Sequence, residues 1–220
     1  MVLSPDRKEI IRYLGYRGVA PDESILKEIE LGVAQLQEAV TPRFVYEQFP
    51  IRRSRGQNSE EQLCFAGMTI VSRDLSRNLR DCHAVYLMAA TLGPGPDTLI
   101  RRASIGKVSH AVILQAAAAA MTETWCDQVN DRIRRETEKD GLFIRPRYSP
   151  GYGDLSLTVQ TDISRILNMP KEIGVSLTDT LLMTPSKSVT ALIGVAKTPA
   201  DCHKSGCAAC SAASTCPYRA

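Results

Sequence analysis

Two short segments carry residue types at spacings that chemistry can use. The first is Arg147-Tyr148-Ser149-Pro150-Gly151-Tyr152. Pro150 fixes its own φ and Gly151 admits backbone geometry closed to other residues, so the pair makes a stiff turn that can lie against a ligand. Arg147 offers a planar fork of donors matched to a carboxylate, and Tyr152 adds an aromatic face and a hydroxyl. The combination suits an amino-acid-like ligand; a Pro-Gly turn beside an arginine also has a purely structural reading. The second segment holds Cys202, Cys207, Cys210 and Cys216 in the spacing CxxxxCxxCxxxxxC. Four thiolates suit zinc or an iron–sulfur cluster, and either would organise a stretch too poor in large apolar side chains to fold by burial. Free thiols are the remaining alternative, and His203 is read either as a substitute ligand or as a lone exposed histidine.

The elements that must position these residues follow from periodicity and punctuation. Ser4-Pro5 reads as the start of a short helix bearing Ile10, Ile11 and Leu14, stopped at Gly15. Pro21-Asp22 opens a second helix with Ile25, Ile29, Val33 and Leu36 inward, ended by Pro42. Residues 43–51 and 63–71 read as strands able to pair as a hairpin across the polar turn at 56–59, and the cluster Arg52, Arg53 and Arg55 as a solvated turn. Ser72 caps a helix holding Leu75 and Leu79, and 84–92 has the length and apolarity of a buried strand. After Gly93-Pro94-Gly95-Pro96 the chain is helical from about 97 to 139 with a break near Gly106, and Ala116–Ala120 point to close backbone packing. A helix is expected over 158–168 before Pro170, then strands over 177–183 and 188–196 about a turn at Pro185-Ser186-Lys187.

Composition removes several classes. The 220 residues are 44% hydrophobic and 23% charged, as in an ordinary globular domain. A net charge of +3, from 27 basic and 24 acidic residues, is too small and dispersed for a nucleic-acid footprint. The most apolar stretch, 111–121, is too short to span a bilayer. The amino terminus turns charged at once and lacks the apolar core of a secretory signal, and the seven cysteines are odd in number, so a reducing cytoplasmic setting is expected. Cys64, Cys82 and Cys126 lie in apolar or helical patterns and are expected to be buried thiols. There is no GxGxxG after a strand and no GxxxxGK[ST], which argues against a dinucleotide-type parallel sheet and an ATP-driven device.

The segment from Arg147 to Tyr152, taken with Ala90-Thr91-Leu92-Gly93 upstream and with Leu177-Thr178-Asp179 and Met183-x-Pro185-x-x-Ser188 downstream, resembles the activation domain of cobalamin-dependent methionine synthase. The likeness covers about Ser72 to Val195, and Arg12-Tyr13-Leu14-Gly15-Tyr16-Arg17-Gly18 resembles free-standing members of the group. The resemblance implies one α+β domain over 1–198, a twisted antiparallel sheet with packed helices; the abrupt change of composition after Pro199 sets off a Cys-rich tail over 199–220. It implies an S-adenosylmethionine site in which Arg147 holds the carboxylate, the backbone at Ser149 and Gly151 meets the ligand across the Pro150 turn, and Tyr152 lines the pocket. Glu123, on the long helix, takes the place of a family acidic residue that faces the ammonium or sulfonium charge; otherwise it is one more solvated carboxylate. The implied role is reactivation of methionine synthase, for methionine biosynthesis, by reductive methylation of cobalamin carried on partner modules or on another corrinoid protein, with a flavodoxin or ferredoxin-like electron donor. A redox adaptor using an iron–sulfur cluster or zinc for another corrinoid methyltransferase is the alternative. Two departures stand out: Gly153-Asp154-Leu155-Ser156-Leu157-Thr158 replaces a Cys-Pro-Glu-His stretch, and the long aromatic extension after the last strands is missing.

Overall fold

Side-chain caps start three helices in a computed structural model that describes residues 3–16, 18–56 and 59–199. Asp6 accepts from the Lys8 N–H at 2.8 Å ahead of α1 (Arg7–Tyr13), and Asp22 accepts from the Ile25 N–H at 2.9 Å ahead of α2 (Glu23–Ala39). Ser72 accepts from the Leu75 N–H at 3.0 Å ahead of α3 (Arg73–Asn78), as expected. Each satisfies an N–H that helix geometry leaves without an intrahelical partner. The first helix starts later than Ser4-Pro5 predicts, because the carboxylate of Asp6 is the group that reaches a free N–H.

The expected hairpin between 43–51 and 63–71 is replaced by a different pairing. β1 (Arg43–Pro50) lies beside β5 (Cys82–Thr91), with the Ile51 N–H donating to the His83 carbonyl at 2.9 Å. The arginine cluster is itself a strand, β2 (Arg52–Arg55), which pairs antiparallel with β3 (Glu61–Phe65) from Arg52↔Cys64 to Arg55↔Glu61. Its charges stay in solvent along an edge, and Arg53 meets Glu61 at 2.7 Å, so the basic cluster also blunts that edge. The apolar run 63–71 folds on itself at Ala66 and Gly67, both at positive φ (52° and 76°), and gives β3 and β4 (Met68–Ile70). A two-residue turn of that hand matches strand twist.

α4 (Gly95–Gly106) and α5 (Val108–Glu138) follow the expected helical stretch and its break. Then come β6 (Phe143–Ile144), α6 (Val159–Ile166), α7 (Met169–Ile173), β7 (Ser176–Leu177), β8 (Met183–Thr184) and β9 (Ser188–Ala196). Pro170 does not end helical structure; it sits in the first turn of α7, where its missing N–H costs nothing. The expected strand over 177–183 is two short pieces paired with each other, β7 with β8, and β9 instead joins the main sheet, whose order is β1-β5-β9-β6. The architecture is α+β with antiparallel pairing, as expected.

Contact density divides the described residues into two units: those within Met1–Tyr46, Met88–Asp131 and Gln160–Thr190, and those within Glu47–Leu87, Arg132–Val159 and from Ala191 onward. In the first, the alanine run behaves as expected: Ala116, Ala117, Ala118 and Ala120 are buried. α2 approaches α5 closely at Gly32, where a Cβ would sit 3.4 Å from both Ile113 and Leu114. His110 joins the same helices, bonded to Glu28 at 2.9 Å and Gln35 at 2.8 Å, and Lys107 also pairs with Glu28. Those bonds, Lys107 first, hold the Glu28 carboxyl below the usual range. In the second unit, Leu63, Leu75, Leu79 and Leu87 are fully buried. Arg53 also donates to the Leu79 carbonyl at 2.6 Å. Cys82 and Cys126 are buried thiols as expected, whereas Cys64 is only half-buried on the β2–β3 ladder.

Candidate functional site

The Arg147–Tyr152 segment belongs to the second unit and leaves β6 along β9. Arg145 is buried; its N–H bonds the Gly194 carbonyl at 2.8 Å and its Nη2 donates to the Arg80 carbonyl at 3.3 Å. Tyr148 and Leu192 exchange both backbone bonds, at 2.9 and 2.8 Å, which fixes the entry to the turn. The Tyr152 N–H then closes on the Ser149 carbonyl at 3.2 Å, with Pro150 and Gly151 (φ 90°) between. Proline first and a positive-φ glycine second define a type II turn, which only glycine or asparagine accommodates well.

A second turn follows at once. The Leu155 N–H donates to the Tyr152 carbonyl at 3.0 Å, and the Leu155 carbonyl accepts the Gly151 N–H at 2.9 Å. Leu155 is 2% exposed, so the pair of turns is anchored in the core while its tip stands in solvent. Gly153 (φ 53°) threads a narrow slot: a Cβ there would collide with an Asp74 carboxylate oxygen and lie 2.6 Å from the Tyr148 hydroxyl. That hydroxyl donates to the Tyr152 carbonyl at 3.2 Å, and the two tyrosine rings meet edge to face at 6.5 Å. Burial, then Asp74 and Asp154, push the Tyr148 phenol above its ordinary value.

The predicted residues thus fall as follows. Arg147 and Ser149 are half-buried, Pro150 is buried, Gly151 is exposed and Tyr152 is 65% exposed. Of the turn's backbone groups, the Ser149 carbonyl and the Gly151 N–H are engaged within it; the Ser149 N–H and the Gly151 carbonyl take no part in those bonds. Glu123 belongs to the first unit, exposed on α5, where its charge adds to burial in raising the Tyr13 phenol. Cys202, Cys207, Cys210 and Cys216, with His203, lie outside the described residues. Among the described residues no group of three or more His, Cys, Asp or Glu is arranged to hold a metal ion, and no helix is long and apolar enough to cross a membrane.

The other stretches that carried the resemblance meet in the first unit. The Leu92 N–H donates to the Lys187 carbonyl at 2.9 Å, and the Ser188 hydroxyl lies 2.8 Å from that of Thr91 and 2.7 Å from the Pro185 carbonyl. Asp97 receives the Ser186 N–H at 2.7 Å and its hydroxyl at 2.5 Å. Lys187 is 8% exposed; burial lowers its ammonium below the usual range, with Asp97 opposing. An open apolar groove of about 410 Å³ also lies in this unit, lined by Tyr13, Ile100, Val108, Val112 and Ala119 among others. Asp154, Asp97 and Lys187 escaped the sequence reading. Nothing local to the Gly-Asp pair marks the carboxylate as a cap for a helix 82 residues earlier.

Helices with antiparallel sheets, and a type II turn from Ser149 to Tyr152 whose tip stands at the surface, define an α+β domain. The sequence matches the family described as vitamin B12 dependent methionine synthase, activation domain, over residues 28–204, and the chain belongs to that family. No curated protein matches it. Among solved structures it is similar to the one described as the crystal structure of the MetH reactivation domain bound to AdoHcy, with a TM-score of 0.62 and 16% identity over 92% of this chain and 75% of that one. At that identity the likeness is one of fold.

Proposed function

We propose that this activation domain binds S-adenosylmethionine at the Arg147–Tyr152 turn and supports the reductive methylation that reactivates a cobalamin-dependent methionine synthase. The carrying observation is the double turn from Ser149 to Leu155: both ends are pinned, and the Ser149 N–H and Gly151 carbonyl are left outside its own bonds. Family membership and the AdoHcy bound to the structural neighbour support the ligand class. Arg147 grips the ligand carboxylate with a charge-assisted fork, the Ser149 and Gly151 backbone meets the amino-acid or adenosine portion, and Tyr152 folds over it. The sulfonium supplies the methyl group and leaving group, and the corrinoid of the partner modules supplies the nucleophile, so the chain needs no general acid or base. Its contribution is placement, which can lower a barrier by roughly 7–11 kcal/mol when reacting atoms are held at near-attack geometry.

We assign residues 1–198 to this domain and 199–220 to a metal-binding tail. The four cysteines favour a companion role for the tail, in which an iron–sulfur cluster or zinc organises it and a cluster relays the electron from a flavodoxin or ferredoxin-like donor, for methionine synthase or another corrinoid methyltransferase. Visible absorption that bleaches on reduction supports the relay; a colourless anaerobic protein with one zinc removes it. For the ligand, calorimetry should show S-adenosylmethionine binding that S-adenosylhomocysteine competes away and that Arg147→Ala weakens about 100-fold, the worth of a lost bidentate charged pair. A folded wild-type chain that binds neither compound rules out the proposal.

A further inference from the structure

We infer that Asp154 is a positioning residue: by docking on the first turn of α3 it holds the Arg147–Tyr152 turn in the shape that takes ligand. This rests on the reading that the turn is the ligand site. Asp154 is exposed, yet its carboxylate is fully engaged at one place. It accepts the Ser72 hydroxyl, the Arg73 N–H at 2.8 Å and the Asp74 N–H at 3.2 Å. Ser72 is itself the cap of α3, accepting from the Leu75 N–H at 3.0 Å. Together the two side chains satisfy three successive N–H groups that a helix start leaves open.

The linkage serves both partners. A six-residue helix such as α3 is far too short to persist alone, so a carboxylate from a distant loop completes its start. In return the loop's exit is fixed, one residue before buried Leu155 and one after Gly153, whose slot between Asp74 and the Tyr148 hydroxyl has no room for a side chain. Arg77 on α3 pairs with Asp74 at 3.0 Å and keeps that wall in place. The entry is fixed separately by the Tyr148–Leu192 bridge. Loss of Asp154 therefore frees residues 149–154 while leaving Arg147 tethered, and a loop that must be ordered on binding spends affinity doing so.

The test uses the full chain and S-adenosylhomocysteine, measured by calorimetry. Wild-type binding must be present; its absence would defeat the ligand reading rather than the role of Asp154. Given binding, Asp154→Ala should weaken it about tenfold, as expected for lost hydrogen bonds to a charged group. Asp154→Asn, which keeps one acceptor oxygen, should fall between Ala and wild type, and amide exchange at Gly151 and Leu155 should quicken. Ile133→Val, a buried truncation on α5 in the same unit, lowers melting temperature without touching the loop and should leave affinity unchanged. Wild-type affinity in Asp154→Ala, or an equal loss in Ile133→Val, overturns the inference. Should Asp154→Ala fail to fold, Asp154→Asn and Ser72→Ala decide it, and wild-type affinity in both overturns it.

Discussion

The Ser149–Leu155 double turn and the Thr184–Ser188 loop are both built around a proline and small polar residues, yet they are held by opposite means. The first stands in solvent at its tip and is fixed by backbone bonds and by one carboxylate on a helix start. The second is buried at Pro185, Lys187 and Ser188 and exposed at Thr184 and Ser186, with the Ser188 hydroxyl closed on Thr91 and Pro185 and the Ser186 hydroxyl on Asp97. Every polar group in a buried loop must find a protein partner, so such a loop has little left to offer a ligand. The exposed turn can leave donors and acceptors to water, and water can be displaced. Rigidity therefore comes to the one from saturation and to the other from a few anchors at its ends.

That contrast can be broken experimentally, and the largest effect should come from Arg147→Ala. It should cost about 100-fold in S-adenosylhomocysteine affinity, the worth of a bidentate charged pair to the ligand carboxylate. An affinity near wild type would place the turn with the buried loop, as structure alone. Gly153→Ala should come next, lowering unfolding free energy by about 1–3 kcal/mol in urea titration, since its positive φ and crowded slot both oppose a side chain. Ser188→Ala should cost about 1–2 kcal/mol by stranding the buried Thr91 and Pro185 groups.

Lys187→Met should act in the other direction, raising stability by up to about 1 kcal/mol by removing a charge that burial disfavours. The sign follows from linkage: a lysine whose folded pKa is lowered binds fewer protons in the native state, so wild-type stability rises with pH from that lowered value toward about 10.4, and the methionine variant should lose the slope. The smallest effect should be the acid dependence of Asp154. Its carboxyl is held below the usual range, first by the Ser72 hydroxyl and then by the Arg73 and Asp74 N–H groups. Its contribution is thus present above about pH 4 and lost as pH falls through the lowered value. Asp154→Asn should flatten acid unfolding in that window, and an unchanged profile would mean that the carboxylate is not holding α3.

Periodicity alone located α2, the long α4–α5 stretch, β5 and β9, because each buries a continuous or regularly spaced set of apolar residues whatever packs against it. The stiff turn at Pro150-Gly151 and the cap at Ser72 were equally legible, since proline, glycine and serine impose those geometries locally. Pairing was not. Whether 43–50 would lie beside 63–71 or beside β5, and whether 188–196 would turn back on 177–183 or enter the main sheet, depends on partners far along the chain. An apolar strand pattern accepts many neighbours of like character, and only the assembled core selects among them. The same holds for Asp154: nothing local marks it as a cap, and only the tertiary structure brings the start of α3 to it, because hydrogen bonds are short and the sequence carries no measure of distance through space.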